Sequence, residues 1–454
     1  MNYPAALDFI LGRTDYERWP GYTYASRFDL RRMHDLLGRL GDPHLEERTV
    51  HIAGSKGKGS TAAMIAAGLQ AAGYRTGLYT SPHLITLRER IKVDGKQILK
   101  SELARVTERM RTHVEEMDKT QVYGELSTFE LLTTAGFLHF ADKKVGFTVL
   151  ETGLGGRLDA TNVAQPEICV LTSIGLDHTQ VLGDTIAKVA AEKAGIIKEG
   201  VPVVTSPQDD QAYDVIQQAC LQKGAGLISV GRDIGYTKVN ASPGGQVLQV
   251  EGQKGSYRVS IPLLGAYQAQ NAATAVAALE ALGVSSEHIE TGLARTYWPG
   301  RLQVVRKRPL LVLDGAHSPD SARKLAESLV QYFDFSKLIL IIGTSADKDT
   351  SGIVAALGPL AGRVYVTRAR HPRSTAAEVL ADQFARAGIK AVVEESVSRA
   401  IDRALQEAGK KDLICATGSL FLVGEALEHL WGRSPEVYPP SRNQQPLPLE
   451  EDTG

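Results

Sequence analysis

Between residues 49 and 81 four segments follow one another without interruption. They are an apolar run (TVHIA), a loop with three glycines in six residues (GSKGKG), an alanine-rich stretch (TAAMIAAGLQAAG) and a second short run (TGLYTS). That order reads as strand, loop, helix, strand. A connection of that kind returns right-handed to a neighbouring parallel strand, so the segment opens a parallel sheet. Short β-rich runs continue at VGFTVLE (145–151), EICVLTS (167–173) and VPVVTS (201–206). Helix-like stretches such as FELLTTAGFLHFADKK and TIAKVAAEKAGIIK separate them. Alternation of this sort predicts a doubly wound α/β domain.

A chain of 454 residues is about three times the ~150 residues of a typical domain. The second domain is expected where TYWPGRLQ (296–303) breaks the helical pattern. After it PLLVLDG, KLILIIG, RVYVTRA and DLICATG alternate with helix-like runs. The expected organisation is residues 1–298 as a P-loop domain with a mostly parallel sheet, 299–432 as a smaller Rossmann-like α/β domain, and 433–454 as a proline-rich tail. Having little to bury, that tail is expected to be mobile. Within the first domain, residues 241–262 (ASPGGQVLQVEGQKGSYRVSIP) alternate apolar and polar positions and read as an antiparallel hairpin or an addition to the sheet edge.

Charge and cysteine usage exclude several classes. Lys and Arg number 51 against 52 Asp and Glu, so no global basic field exists to hold nucleic acid by counterion release. Cys169, Cys220 and Cys415 lie far apart, with no zinc or disulfide spacing. No apolar run approaches 18 residues, and Asp8 interrupts the N-terminal apolar stretch. A cytoplasmic protein with no membrane and no nucleic-acid partner is expected.

Four segments carry chemistry, and each follows a predicted strand. Gly54, Ser55, Lys56, Gly57, Lys58, Gly59 and Ser60 sit between strand and helix. There backbone N–H groups close round phosphate oxygens, the helix N-terminus adds its dipole and Lys58 adds a point charge. The spacing, with a glycine between lysine and hydroxyl, departs from the P-loop of GTPases. Glu151 ends a buried strand, where a carboxylate can hold Mg²⁺ beside a nucleotide; the following GLGG on its own is only a turn. His178 follows the next strand, in a place where a hydrogen-bonded loop residue is the common alternative. Lys193 falls mid-helix, and its charge pattern assigns it no role. In the second domain Asp314 and His317 lie in DGAHSP, which is also ordinary turn chemistry. Arg301 reads as a phosphate clamp or as a surface charge.

Together these segments resemble a known family. HIAGSKGKGST, TSPHL, STFELLT, ETGLGGRLDATN, SIGLDHTQVLGDT, AEKAGIIK, WPGRLQ, DGAHSP and TGSLFLVGEA occur in order across residues 20–430. They resemble the folylpolyglutamate synthase/dihydrofolate synthase branch of the Mur ligase superfamily. The resemblance implies an ATP- and Mg²⁺-dependent amide ligase that adds L-glutamate to folates, and also to dihydropteroate, through an acyl phosphate. It implies a monomer whose partners are small molecules. By motif, Lys58, Glu151, His178 and Lys193 are the expected catalytic set. Gly54, Ser55, Gly57, Lys58, Gly59, Ser60, Asn271, Arg301, Asp314 and His317 are expected at the nucleotide. Ser81, Glu151, His178 and Lys193 are expected at the metal, with Lys193 carbamylated. Ser81, Pro82, His83, Thr128, Phe129, Asp159 and Ala160 are expected at the pterin-bearing substrate, Phe129 offering a stacking face and Asp159 an acceptor.

The chain departs from the family pattern at Lys56, where asparagine is usual, and at Ser318, where DGAHNP is usual. Within the branch, a monofunctional folylpolyglutamate synthase is the alternative to the bifunctional enzyme. Two further alternatives fit less well. A peptidoglycan-precursor ligase would lack TSPHL and GGRLDATN, and a P-loop regulator would not need Glu151, His178 and Lys193.

Overall fold

The computed structural model describes residues 1–16 and 28–438. The N-terminal domain is built on eight strands: β1 (Arg48–Ala53), β2 (Thr76–Tyr79), β3 (Ile91–Val93), β4 (Lys96–Gln97), β5 (Phe147–Glu151), β6 (Pro166–Leu171), β7 (Val203–Thr205) and β8 (Leu227–Ser229). Their order across the sheet is β4-β3-β2-β5-β1-β6-β7-β8. All neighbours are parallel except β2–β3 and β3–β4. The sheet is therefore doubly wound with an antiparallel edge. On one face the helices Lys58–Ala71 and Ala266–Ala281 bury Met64, Ile65, Val276 and Leu279 against Val50, Ile52 and Val149. On the other the helices Lys100–Thr120 and Thr128–Lys143, with the N-terminal Tyr3–Leu11 and Leu30–Arg39, pack Met110, Leu131 and Phe140 around Tyr79 and Leu150. Strands buried on both faces read as near-continuous apolar runs, which is why they are legible in sequence.

Residues 241–262 contain the expected antiparallel hairpin, formed over residues 245–261, and are not an addition to the edge of the main sheet. They belong to a separate three-stranded antiparallel sheet of β9 (Gly235–Ser242), β10 (Gly245–Glu251) and β11 (Ser256–Ile261), in the order β11-β10-β9. Its inner face places Leu248, Val250, Val259 and Ile261 in the core shared with helix Ala266–Ala281. The first strand is hard to see because GYTKVNAS is mostly exposed and lacks the apolar alternation of its two partners.

The C-terminal domain carries β12 (Gln303–Lys307), β13 (Leu310–Leu313), β14 (Lys337–Ile342), β15 (Ala361–Val366), β16 (Ala391–Val393) and β17 (Asp412–Thr417) in the order β12-β13-β17-β14-β15-β16. Only β12 runs antiparallel to its neighbour. The two domains share a contact through residues 84–85. Ile85 is part of the C-terminal core with Leu313, Leu422 and Val423. The backbone of Gly424 approaches the Leu84 carbonyl so closely that a Cβ there would sit 2.1 Å from it. The expected mobility of the tail concerns residues that, beyond 438, lie outside the described residues. Within them, Glu436 and Tyr438 are hydrogen-bonded to the N-terminal domain.

Candidate active site

The chain reverses direction across the N-terminal sheet at β1, which lies between β5 and β6. A crevice opens at such a switch point beyond the strand C-termini, and three of the predicted motifs enter it. Residues 54–57 leave β1, Glu151 ends β5, and residues 172–178 leave β6. Register aligns them, since Ile52 pairs with Glu151 and Ala53 with Leu171. The backbone of the glycine-rich loop is tied to the segment that leaves β6. The Ser55 and Lys56 amides donate to the Ser173 carbonyl at 2.9 and 3.1 Å, and the Ser55 hydroxyl donates to the Gly175 carbonyl at 2.8 Å.

Helix Lys58–Ala71 then starts at Gly57, which has φ +92° and supplies no side-chain cap. The amides of the first turn have no carbonyl partner inside the helix and face the crevice. Gly57 is also required by crowding, because a Cβ would lie 2.3 Å from the Asn271 side-chain oxygen; at Gly59 a Cβ would meet the Trp298 ring at 2.6 Å. Asn271 thus leans on the loop. Gln268, one helical turn before it, holds both Asn271 (3.0 Å) and the buried Ser60 hydroxyl (3.2 Å). Gln268 and Trp298 are site residues the motif reading did not single out. The i,i+3 spacing of Gln268 and Asn271 is the signal that would have shown the first.

Charge in the crevice is concentrated and poorly compensated. The ammonium groups of Lys58 and Lys193 both donate to the Gly54 carbonyl, at 3.1 and 2.9 Å. Lys193 is 3% exposed, and burial, reinforced by Lys58, brings its amine down to about 7. Glu151 is 4% exposed; burial pushes its carboxyl up to about 7 against the pull of Lys58. One hydrogen bond holds it, from the Ser81 amide to Oε2 at 3.2 Å, and it makes no ion pair among the described residues. Ser81 opens the Ser81-Pro82 cis peptide, and His83 accepts a hydrogen bond from Arg90 at 3.0 Å.

Lys56, the first departure from the family pattern, turns toward β6 and pairs with Asp177 at 3.1 Å. The Asp177 carboxyl is held well below the usual range by Lys56 and His178, which outweigh its burial. His178 sits in the left-handed region at φ +52°, with its ring more than half exposed above the crevice.

From the C-terminal domain, Asp314 accepts the amides of Leu302 and Ala316, both at 2.8 Å. The Arg301 guanidinium donates to the Gly300 carbonyl at 3.1 Å, and its charge favours ionisation of both Asp314 and Glu151 against their burial. The His317 ring is anchored by Nδ1 to the Gly315 carbonyl at 2.8 Å, which leaves Nε2 as an acceptor. Burial, then Lys56, lowers His317 to about 4. Ser318, the second departure, caps helix Pro319–Tyr332 by accepting the Ser321 amide.

Residues expected at the pterin divide into two groups. Phe129 lies edge-on to Tyr79, with ring centroids 6.0 Å apart, packs against Gly153 and is only partly buried. Ala160 is buried beside it. Thr128 and Asp159 are committed to the fold instead. The Thr128 hydroxyl donates to the Ile10 and Arg13 carbonyls. Asp159 accepts four hydrogen bonds inside its own loop: Gly153 and Leu154 amides on Oδ2, Thr161 amide and hydroxyl on Oδ1. A carboxylate offers about four lone-pair positions, so the acceptor expected for ring N–H groups is already filled. Asp159 shapes the loop that carries the Gly153 and Leu154 backbone to the site.

The metal set can be tested against this geometry. Among the described residues no three His, Cys, Asp or Glu side chains converge as a cage. Mg²⁺ characteristically takes one or two carboxylates and draws its remaining oxygens from water and substrate phosphate. A desolvated, singly bonded Glu151 beside a phosphate-binding loop meets that requirement. Lys193 meets it only as a neutral amine or a carbamate, which its lowered basicity favours.

A P-loop crevice facing an Arg301–Asp314–His317 edge from a second α/β domain defines a Mur-type ligase. Family comparison agrees: residues 52–279 match the Mur ligase middle domain and residues 300–420 the Mur ligase glutamate ligase domain. The dihydrofolate synthase/folylpolyglutamate synthase of Bacillus subtilis is 36% identical over 94% of this chain and 99% of its own length. A solved structure of Mycobacterium tuberculosis folylpolyglutamate synthase complexed with ADP superposes with TM-score 0.86 at 34% identity, covering 96% of this chain and all of that one. Escherichia coli FolC in complex with DHPP and ADP gives 0.82 at 29% identity, over 95% of this chain and 98% of the other. The chain belongs to the folylpolyglutamate synthase/dihydrofolate synthase family of Mur ligases. No helix among the described residues is long and apolar enough to cross a membrane.

Proposed function

We propose that the protein is an ATP- and Mg²⁺-dependent ligase that joins L-glutamate to a pterin-bearing carboxylate, accepting both reduced folates and dihydropteroate. The observation that carries the reading is the junction itself. A phosphate loop with Lys58, a desolvated Glu151 with spare acceptor capacity and the C-terminal Arg301 all meet one crevice. A carboxylate is a poor electrophile until one of its oxygens becomes a leaving group. The substrate carboxylate attacks the γ-phosphorus of ATP, the bond to the ADP oxygen breaks, and an acyl phosphate forms. The glutamate amine then attacks the acyl carbon, loses a proton, and inorganic phosphate departs.

Catalysis of the first step is positioning plus cationic stabilisation of the phosphate oxygens. The first-turn amides and Lys58 bind the β- and γ-phosphates, Arg301 reaches the transferring group from the opposite domain, and Asn271 holds the loop. When bound, Mg²⁺ would supply charge neutralisation to the transferring phosphate. Glu151 with Ser81, His178 and a carbamylated Lys193 would hold it.

Bifunctionality follows from chemistry common to both substrates. The same ATP and the same amine serve each carboxylate, and only the resting place of the ring differs. Phe129 provides a stacking face near Gly153 for the shorter substrate. The name of the B. subtilis relative joins both activities. The test is mass analysis of products after incubation with ATP, Mg²⁺, glutamate and either dihydropteroate or tetrahydrofolate. A glutamate adduct of each is expected. An adduct of tetrahydrofolate alone would restrict the protein to chain extension, and ATP hydrolysis without adduct would refute the ligase reading.

A further inference from the structure

Residues 80–90 carry the Ser81 amide that touches Glu151, and they are built as one closed piece. The Thr80 amide donates to the Arg90 carbonyl at 3.0 Å, which closes the loop at its base. Inside it, the Glu89 carboxylate accepts the amides of Leu84, Ile85 and Thr86, and Arg90 donates to Nδ1 of His83. A loop bound internally in this way moves as a unit. Ile85, at its tip, is buried in the C-terminal core.

The chain returns to this loop after the last helix of the C-terminal domain, Leu420–Leu430. Along residues 433–438 only Glu436 and Tyr438 are partly buried; Val437 between them is 85% exposed. The Tyr438 oxygen accepts the Leu87 amide at 2.9 Å and lies 3.1 Å from Nε2 of His83. Because Nδ1 of His83 already accepts from Arg90, its ring proton sits on Nε2 and is donated to Tyr438. The Tyr438 hydroxyl in turn donates to Glu436 at 2.8 Å. Glu436 also accepts the Tyr3 hydroxyl at 2.6 Å and shares the Leu87 amide at 3.1 Å. The direction of every bond in this set is consistent. The strap therefore grips the N-terminal helix and residues 80–90 together.

We propose that residues 433–438 are a strap through which the C-terminal domain sets the position of residues 81–83, and that Tyr438 and Glu436 are positioning residues for ligation. Their hydrogen bonds to Tyr3, His83 and Leu87 lie outside the phosphate loop and Glu151. Their effect passes through His83 and the Leu87 backbone to Ser81 at Glu151. Because the kinetic arm of the test rests on the ligase reading, it is paired with one that does not.

The experiment compares Tyr438→Phe, Glu436→Gln and, as a control on the same strap, Val437→Ala in the full chain. Hydrogen exchange of the peptide covering residues 80–90, ADP affinity, and kcat and KM for tetrahydrofolate are measured on each. Tyr438→Phe keeps the ring and removes the bridging hydroxyl. It is expected to speed exchange at Leu87 and to lower kcat/KM about three- to tenfold, the range of one or two lost hydrogen bonds. ADP affinity should stay within twofold, because the phosphate loop is untouched. Glu436→Gln should act in the same direction, and Val437→Ala should match wild type. Unchanged exchange and unchanged kcat/KM in Tyr438→Phe overturn the proposal. So does a loss of ADP affinity equal to the loss of kcat/KM, which marks general destabilisation. If the wild type ligates nothing, the ligase reading fails, while the exchange result still decides whether the strap holds the loop.

Discussion

Two buried carboxylates stand eight residues apart at the same end of the sheet, and they do opposite things. Glu151 and Asp159 are both 4% exposed, and burial raises both. Asp159 spends its oxygens on four hydrogen bonds within residues 153–161. Glu151 receives one amide and is otherwise favoured in its ionised form by the charges of Lys58, Arg301 and Arg90, with no hydrogen bond to Lys58 or Arg301. Burial alone therefore does not distinguish the two; the unfilled acceptor capacity of Glu151 does, and the catalytic role proposed for it rests on that. Keeping Glu151 so poorly satisfied costs stability in the empty protein, and a cation with its phosphates would offset that cost.

Four substitutions probe the contrast. The largest effect is expected for Lys58→Ala, which removes the charge that would hold the phosphates. Turnover should fall by roughly 10³-fold or more with the fold intact by circular dichroism, since Lys58 is only partly buried at the start of its helix and its ammonium makes one hydrogen bond among the described residues, to the Gly54 carbonyl. Glu151→Gln comes next, with an expected loss of about 10²- to 10³-fold in kcat. Its melting temperature at pH 8 should equal or exceed that of wild type. The folded carboxyl titrates near 7 rather than 4.5, so ionising it there is unfavourable to the folded state, and the glutamine removes that term.

Asp159→Ala should invert the pattern. Four donors lose their acceptor, so stability should drop by about 3 kcal/mol in urea unfolding. The loss of activity should be similar for dihydropteroate and tetrahydrofolate; a loss confined to dihydropteroate would make Asp159 a direct ring contact after all.

The smallest effect concerns His51, fully buried against the Thr161 hydroxyl at 2.8 Å, beside the Asp159 network. Burial, then Lys198, lowers its ring to about 3. The unfolded chain therefore binds one more proton than the folded one between about pH 6.5 and 3. Its contribution to stability is present above 6.5 and is lost as pH falls through that window. In His51→Gln, which still donates to Thr161 but does not titrate, the acid slope of stability should flatten by about one proton.

Much of this was legible in the sequence, for reasons that differ by element. The strands that carry the site, such as β1, β5, β6 and β13, are short, largely apolar and buried along most of their length. Both domains and the strand-end placement of Lys58, Glu151 and Asp314 could therefore be read directly. The exposed strand β9 could not, because its residues show no burial pattern. Nor could the use to which Asp159 is put, since the spacing of DATN shows a capping turn only once Gly153 and Leu154 are seen folding back onto it. The partner of Lys56 was hidden for a similar reason. Asp177 lies 121 positions away, and only the β1–β6 register brings the two together. The role of the tail was missed because two polar anchors in a proline-rich segment leave no periodic trace.

The most direct test of the contrast is a Mg²⁺ titration of turnover at saturating ATP, run on wild type, Glu151→Gln and Asp159→Asn together. The account predicts that Glu151→Gln requires more Mg²⁺ for half-maximal rate and plateaus at least a hundredfold lower. Asp159→Asn should keep the wild-type Mg²⁺ dependence and lose stability instead. A wild-type plateau and midpoint in Glu151→Gln, or a shifted midpoint in Asp159→Asn alone, would contradict it.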